Sequence, residues 1–261
     1  MEFDGLKVSI ENSIAHVVLN RAEKLNRFNR TLMTSLRDVA RTLHDRADMN
    51  VVILSAEGDA FSAGADLGST TGVADDQSLI EQRLAFRLGP DMCEAWERLE
   101  QVTIVAIQGY CIGGAAALAL ACDFRIAHTG ASLRLPEVPL GINMSWRSLP
   151  RLATLVGPSK AKRFAMLGEA IEAPLALDWG LIDEVVSDAT EAAEALAAKL
   201  AALPPLPLRM TKEAINAAAN ANHHTASFMD RDQFLLTFGS EDFKEGVSAF
   251  FEKRDPEFRG R

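Results

Sequence analysis

Two short apolar runs, each emptying into a turn stripped to small residues, constrain this chain most. VVILSAEG leads into AFSAGAD, and VTIVAIQG leads into YCIGGAAALALA. Unbroken apolar runs of this length read as strands buried on both faces. Around them, LKVSI and IAHVVLN flank Glu11-Asn12-Ser13 as a β-hairpin. Leu32, Leu36, Val39, Ala40 and Leu43 recur at helical spacing, giving an amphipathic helix over Asn29–Ala47. A helix follows over about Leu79–Leu99, a small-residue helix over Gly113–Ala121, and a further strand at FRIAH. Strands alternating with helices imply a mostly parallel α/β core.

Beyond Pro139 the pattern turns helical. Segments are expected near Ser145–Leu155, Ser159–Leu167 and Pro174–Trp179, with the short apolar LIDEVV after Gly180. EAAEALAAKLAAL is a strong helix that stops at Pro204-Pro205, and two or three more run from Pro207 to Lys253. The expected division is therefore a sheet-bearing core over residues 1–190 and a helical region over 191–261. The polar, glycine-containing stretch from Gly68 to Ser78 reads as a loop.

Charge and cysteine content exclude several function classes. A net charge of −9 opposes general binding to nucleic acid or to an anionic membrane. No stretch approaches the roughly 20 apolar residues of a membrane helix, and MEFDGLKVSIENS has no basic start followed by an apolar run. Cys93, Cys111 and Cys122 are odd in number and lack ligand spacing, and the five histidines form no zinc motif. The reading is a cytoplasmic chain with no metal.

Neither small-residue turn is a phosphate loop: there is no GxGxxG and no GxxxxGK[ST]. A backbone N–H can meet a ligand closely only where neighbouring Cβ atoms leave room. Gly113-Gly114 also opens a helix, whose first N–H groups lack partners. Two such donors on one oxygen would form an oxyanion hole. For the second turn taken alone, tight helix-on-sheet packing is the better explanation.

Taken together the segments resemble the crotonase family, the enoyl-CoA hydratase and isomerase superfamily. LNRAEKLNRFN (19–29), AFSAGADL (60–67), IQGYCIGGAAALALACDFRIA (107–127), LPEVPLGI (135–142) and EDFKEGVSAFFEKRDPEF (241–258) carry the likeness. The resemblance implies an α/β crotonase-like spiral of ββα repeats, a helical C-terminal trimerisation region, and an acyl-CoA thioester as substrate. Coenzyme A then enters with the substrate, no separate cofactor is expected, and the assembly is a homotrimer or a dimer of trimers. It places the oxyanion donors at the N–H groups of Ala65 and Gly114. It sets Arg21, Lys24, Ala63, Asp66 and Leu67 against CoA, and Phe250 and Lys253 on a helix reaching a neighbour's CoA. Solvated surface for the two basic residues and ordinary helix packing for Phe250 are the alternatives.

Hydratases of this family pair two glutamates. By resemblance the first falls on Ala117, which can do no acid–base work, and the second on Glu137. Leu135, Pro136, Val138 and Pro139 give Glu137 an apolar setting that would raise its pKa if buried. One carboxylate can move a proton between C2 and C4 of an enoyl-CoA, as the family's Δ3,Δ2-enoyl-CoA isomerases do. Isomerisation is the first reading, hydratase or other lyase the second, and a non-catalytic acyl-CoA binder the third. GINMSWRSLPRL departs from the hydratase pattern. Neither Asn143 nor Ser145 can serve as the nucleophilic aspartate of the dehalogenase-type branch. Ala117 would line the acyl pocket, and Trp146 and Arg147 either shape that pocket or pack the following helix.

Overall fold

A computed structural model describes residues 2–66 and 77–261; Leu67 and most of the Gly68–Ser78 stretch lie outside the described residues. The hairpin forms as β1 (Leu6–Glu11) and β2 (Ile14–Leu19), antiparallel to each other. Parallel strands then extend the sheet: β3 (Val51–Ala56), β4 (Val102–Ile107), β6 (Phe124–His128) and β9 (Glu184–Val186). Their order is β1-β2-β3-β4-β6-β9. Three short strands build a second sheet, β5 (Tyr110–Ile112), β7 (Ser132–Arg134) and β8 (Ile171–Glu172).

Helices cover both faces of the large sheet. On one lie α1 (Arg30–His44), α3 (Leu88–Glu97) and α4 (Gly114–Ala119), sharing a core with Val52, Leu54, Val105 and Ile107. Asn29 caps α1 by accepting from the Leu32 N–H at 2.9 Å. On the other, α7 (Ala189–Ala201) packs Ala193 and Ala197 onto Ile53, Ile104 and Ile126. Position 190, the expected boundary, thus falls inside a core helix. The helices that leave the core begin with α8 (Pro205–Ala219), followed by α9 (His223–Ala226), α10 (Asp230–Phe238) and α11 (Glu241–Glu252).

Two helix expectations need correction. The helix expected over Leu79–Leu99 is two, α2 (Leu79–Ala85) and α3. Pro90 has no N–H for the Phe86 carbonyl four residues back, and its ring crowds that carbonyl, so the helix breaks just before. The segment expected from Ser145 begins only at Ser148, as α5 (Ser148–Leu167), kinked at Gly157 (φ 76°) ahead of Pro158. It starts late because Trp146 and Arg147 both take left-handed backbone. The last helix before β9 is α6 (Ala173–Trp179).

Candidate active site

Both small-residue turns come together at one place. After β3 the chain crosses over β4, where the Phe61 N–H donates to the Gln108 carbonyl at 2.7 Å. Ser62 then pairs with Cys111 of β5, donating to Tyr110 O and accepting from Ile112 N. This brings Gly64 against the Ile112–Gly113 peptide: a Cβ on Gly64 would stand 2.5 Å from Ile112 O. Gly64 also has φ +82°, so glycine is required there twice over.

Ala65 is bridged to Phe28 through its neighbours: Phe28 N–H donates to Gly64 O (2.8 Å) and Asp66 N–H to Phe28 O (3.0 Å). In such a parallel bridge the central residue's own N–H points away from its partner. Ala65 N–H accordingly donates to no group among the described residues. Gly113 (φ 56°, ψ −119°) opens α4 in a conformation reserved for glycine, and Gly114 N–H, in the first turn, is likewise unengaged among the described residues. Two backbone donors without an acceptor among the described residues therefore lie on adjoining turns.

Glu137 stands beside them. Gly113 N–H donates to Arg134 O at 2.8 Å, drawing the 134–137 strand end onto the turn, and a Cβ on Gly113 would sit 2.8 Å from Glu137 Oε1. Glu137 Oε2 is buried and has no hydrogen-bond partner among the described residues. Burial pushes the carboxyl up to about 7, with its own backbone N–H and nearby Arg134 pulling weakly the other way. A tight 3-10 turn, Val138–Leu140, closes on Gly141 (φ 79°), and Ile142 N–H returns to Glu137 O at 3.0 Å. Helix α11 crosses over this turn, so close that a Cβ on Gly246 would stand 2.5 Å from Leu140 O.

Ala117 lies one turn into α4 and is wholly buried. Trp146 also reaches the site: Cβ atoms on either Gly89 or Gly114 would overlap its indole. Among the described residues, then, Glu137 is the carboxylate placed against the Gly113-Gly114 turn. No group of three or more His, Cys, Asp or Glu suits a metal among the described residues. All three cysteines are buried and free.

The expected CoA contacts are more scattered. Arg21 Nη1 donates to Arg27 O at 2.7 Å, Lys24 is exposed next to it, and Ala63 N–H is taken by Leu25 O at 3.0 Å. That leaves Ala63 only its carbonyl for a ligand. Asp66 follows Ala65 directly, partly buried; Leu67 lies outside the described residues. Phe250 is 58% exposed and Lys253 caps α11 with left-handed backbone (φ 56°). No hydrogen bond or ring contact joins these two to Arg21, Lys24 or Ala63.

The residue organising this corner is one the sequence reading passed over. Asn26, fully buried at φ 49°, donates to Glu57 O and Ala60 O and accepts from Arg21 N–H at 2.9 Å. Ser62 Oγ donates to Asn26 O and accepts from Gly64 N–H. An asparagine in a loop, between Leu25 and Arg27, was the available signal, since asparagine tolerates left-handed backbone.

A family model described as enoyl-CoA hydratase/isomerase matches residues 9–261. The chain is 31% identical to a crotonyl-CoA hydratase of Syntrophomonas wolfei, over 99% of each chain. It is 32% identical to a short-chain-enoyl-CoA hydratase of Clostridium acetobutylicum over the whole of both. A crystal structure of an enoyl-CoA hydratase from Mycobacterium avium subsp. paratuberculosis superposes with a TM-score of 0.87 at 28% identity, covering 99% of this chain and all of that one. With its fold and nearly its whole length matched, the chain is an enzyme of the crotonase superfamily, in the enoyl-CoA hydratase/isomerase family.

Proposed function

We propose that the protein binds an acyl-CoA thioester with its carbonyl oxygen between the N–H groups of Ala65 and Gly114, and moves a double bond along the acyl chain. Abstraction of a proton next to, or vinylogous to, a thioester leaves negative charge on that oxygen, and two fixed donors stabilise it. Glu137 takes the proton from one carbon and returns it to the other. The observation carrying this reading is the carboxyl of Glu137 beside Gly113, with Ala117, wholly buried, where a second acid would stand. A pKa near 7 suits a group that must both accept and donate.

Arg21 and Lys24 would meet the CoA phosphates, while Ala63, Asp66 and Leu67 would line its adenine end. The C-terminal helices expose Phe250 and Phe251, which supports a trimer, or a dimer of trimers, in which a neighbouring chain covers them and Lys253 reaches its CoA. A hydratase is the second reading, favoured by the names of the relatives. It requires a second water-handling group in place of the acid missing at Ala117. Separate assays with a 3-enoyl-CoA and with crotonyl-CoA discriminate the two: double-bond migration supports isomerisation, and fast hydration alone supports the hydratase.

A further inference from the structure

The loop carrying Trp146 is held in a way that its own packing does not require. Trp146 (φ 65°) and Arg147 (φ 55°) are consecutive left-handed residues with side chains, a conformation that persists only where the surroundings impose it. Two buried charged groups do so. Asp230, at the start of α10, accepts from Ser145 Oγ at 2.9 Å and from Arg147 N–H at 3.0 Å. From the other side Arg151, only 4% exposed and paired to Glu97, donates to the carbonyls of Trp146 (3.0 Å) and Arg147 (3.1 Å). The clamp delivers one bulky group to one place: the indole, lying on Gly114 and filling the gap between α4 and Gly89 of α3.

We infer that Trp146 sets the acyl selectivity of the site, and that Arg151 of α5 and Asp230 of α10 are positioning residues, the second tying that selectivity to the C-terminal helices. The inference rests on the acyl-CoA reading above. With a thioester oxygen at Gly114 N–H, the acyl carbons next to it lie beside the indole as well as Glu137. A rigid bicyclic ring there leaves room for short, unbranched acyl groups and blocks longer ones. A mismatch of one methylene in an apolar pocket already changes discrimination about 10- to 200-fold. The clamp matters because a ring free to swing aside would discriminate poorly.

Binding of saturated, unreactive butyryl-CoA and octanoyl-CoA, measured by calorimetry, tests this without depending on turnover. Wild type should prefer butyryl-CoA. W146A should move the affinity ratio at least about tenfold toward octanoyl-CoA, and W146F, the gentler variant should W146A fold poorly, part of the way. D230A should move the ratio in the same direction, D230N less. D230A added to W146A should move it no further, because a positioning residue acts through the ring it positions. An unchanged ratio in W146A and W146F overturns the assignment of Trp146, and independent, additive shifts overturn that of Asp230. Wild type binding no acyl-CoA at all would overturn the functional reading and this inference together. Wild-type binding with unmoved ratios overturns the inference alone.

Discussion

The carboxyl of Glu137 rests against the α-carbon of Gly113, so that a Cβ on that glycine would stand 2.8 Å from Oε1. One residue on, Gly114 brings to the same turn an N–H that is unengaged among the described residues. A proton carrier and an anion-stabilising donor thus share one rigid piece of backbone, fixed from below by the Gly113 N–H bond to Arg134 O. Placement of this kind leaves little reorganisation to be done during the reaction.

If Glu137 is the proton carrier, E137Q should lose about 100- to 10,000-fold in kcat while changing KM little. The pH profile follows from the direction of its shift. Burial raises the carboxyl to about 7, and the first step needs it ionised. In wild type kcat/KM should rise through about pH 7 as a single ionisation and then level off. A profile already flat at pH 5 would contradict a buried base.

The same burial makes a stability prediction with a definite sign. The carboxyl ionises at its ordinary value near 4.5 in the unfolded chain and near 7 in the fold. Between those values the folded state holds a proton the unfolded state has lost. The stabilising contribution of the neutral carboxyl is therefore fully present below about pH 4.5 and is lost as pH rises through about 7. Each unit of difference is worth about 1.4 kcal/mol, so E137Q should exceed wild type by up to about 3 kcal/mol above pH 8. Thermal melts at about pH 5 and about pH 9 would show the two proteins converging at the lower value.

Glycine at both turns is a steric requirement. G64A places a methyl 2.5 Å from Ile112 O at φ +82°, and should destabilise the protein by about 1–3 kcal/mol and displace Ala65. G114A drives its methyl into the Trp146 indole, and should cost about 100- to 1000-fold in kcat by disturbing one oxyanion donor. Because the obstacle there is a single side chain, W146A in the same protein should restore part of that loss. Kinetics of the two single variants and the double variant check it.

Most of the architecture was legible because it rests on local pattern. The hairpin, the apolar runs at Val51–Ala56 and Val102–Ile107, and the 3.6-residue spacing of α1 all form where periodicity places them. Illegible were features decided by distant partners. The three-residue strands β5 and β7 carry no pattern of their own and exist through their pairing with each other. Asn26 gathers loop carbonyls from 31 and 34 residues away. Asp230 reaches Ser145 across 85. In the site itself, Gly64, Gly113 and Glu137 stood out because small turns and a carboxylate in an apolar run are local signals. The grip on Trp146 did not, since it needs the C-terminal helices in place.

Helix α11 should matter to catalysis as well as to assembly, because it lies on the turn that follows Glu137. G246A would set a methyl 2.5 Å from Leu140 O. The expected result is a loss of about 1–3 kcal/mol in stability, with kcat falling more than affinity for free CoA. Equal losses in both would place α11 outside the support of Glu137.

The most direct measurement of Glu137 as a proton carrier between two acyl carbons follows a 3-enoyl-CoA and crotonyl-CoA side by side with wild type and E137Q. Wild type should convert the 3-enoyl to the conjugated 2-enoyl thioester, E137Q should lose that conversion, and neither should hydrate crotonyl-CoA to any extent. Rapid hydration of crotonyl-CoA with no migration of the 3-enoyl double bond would contradict that role for Glu137.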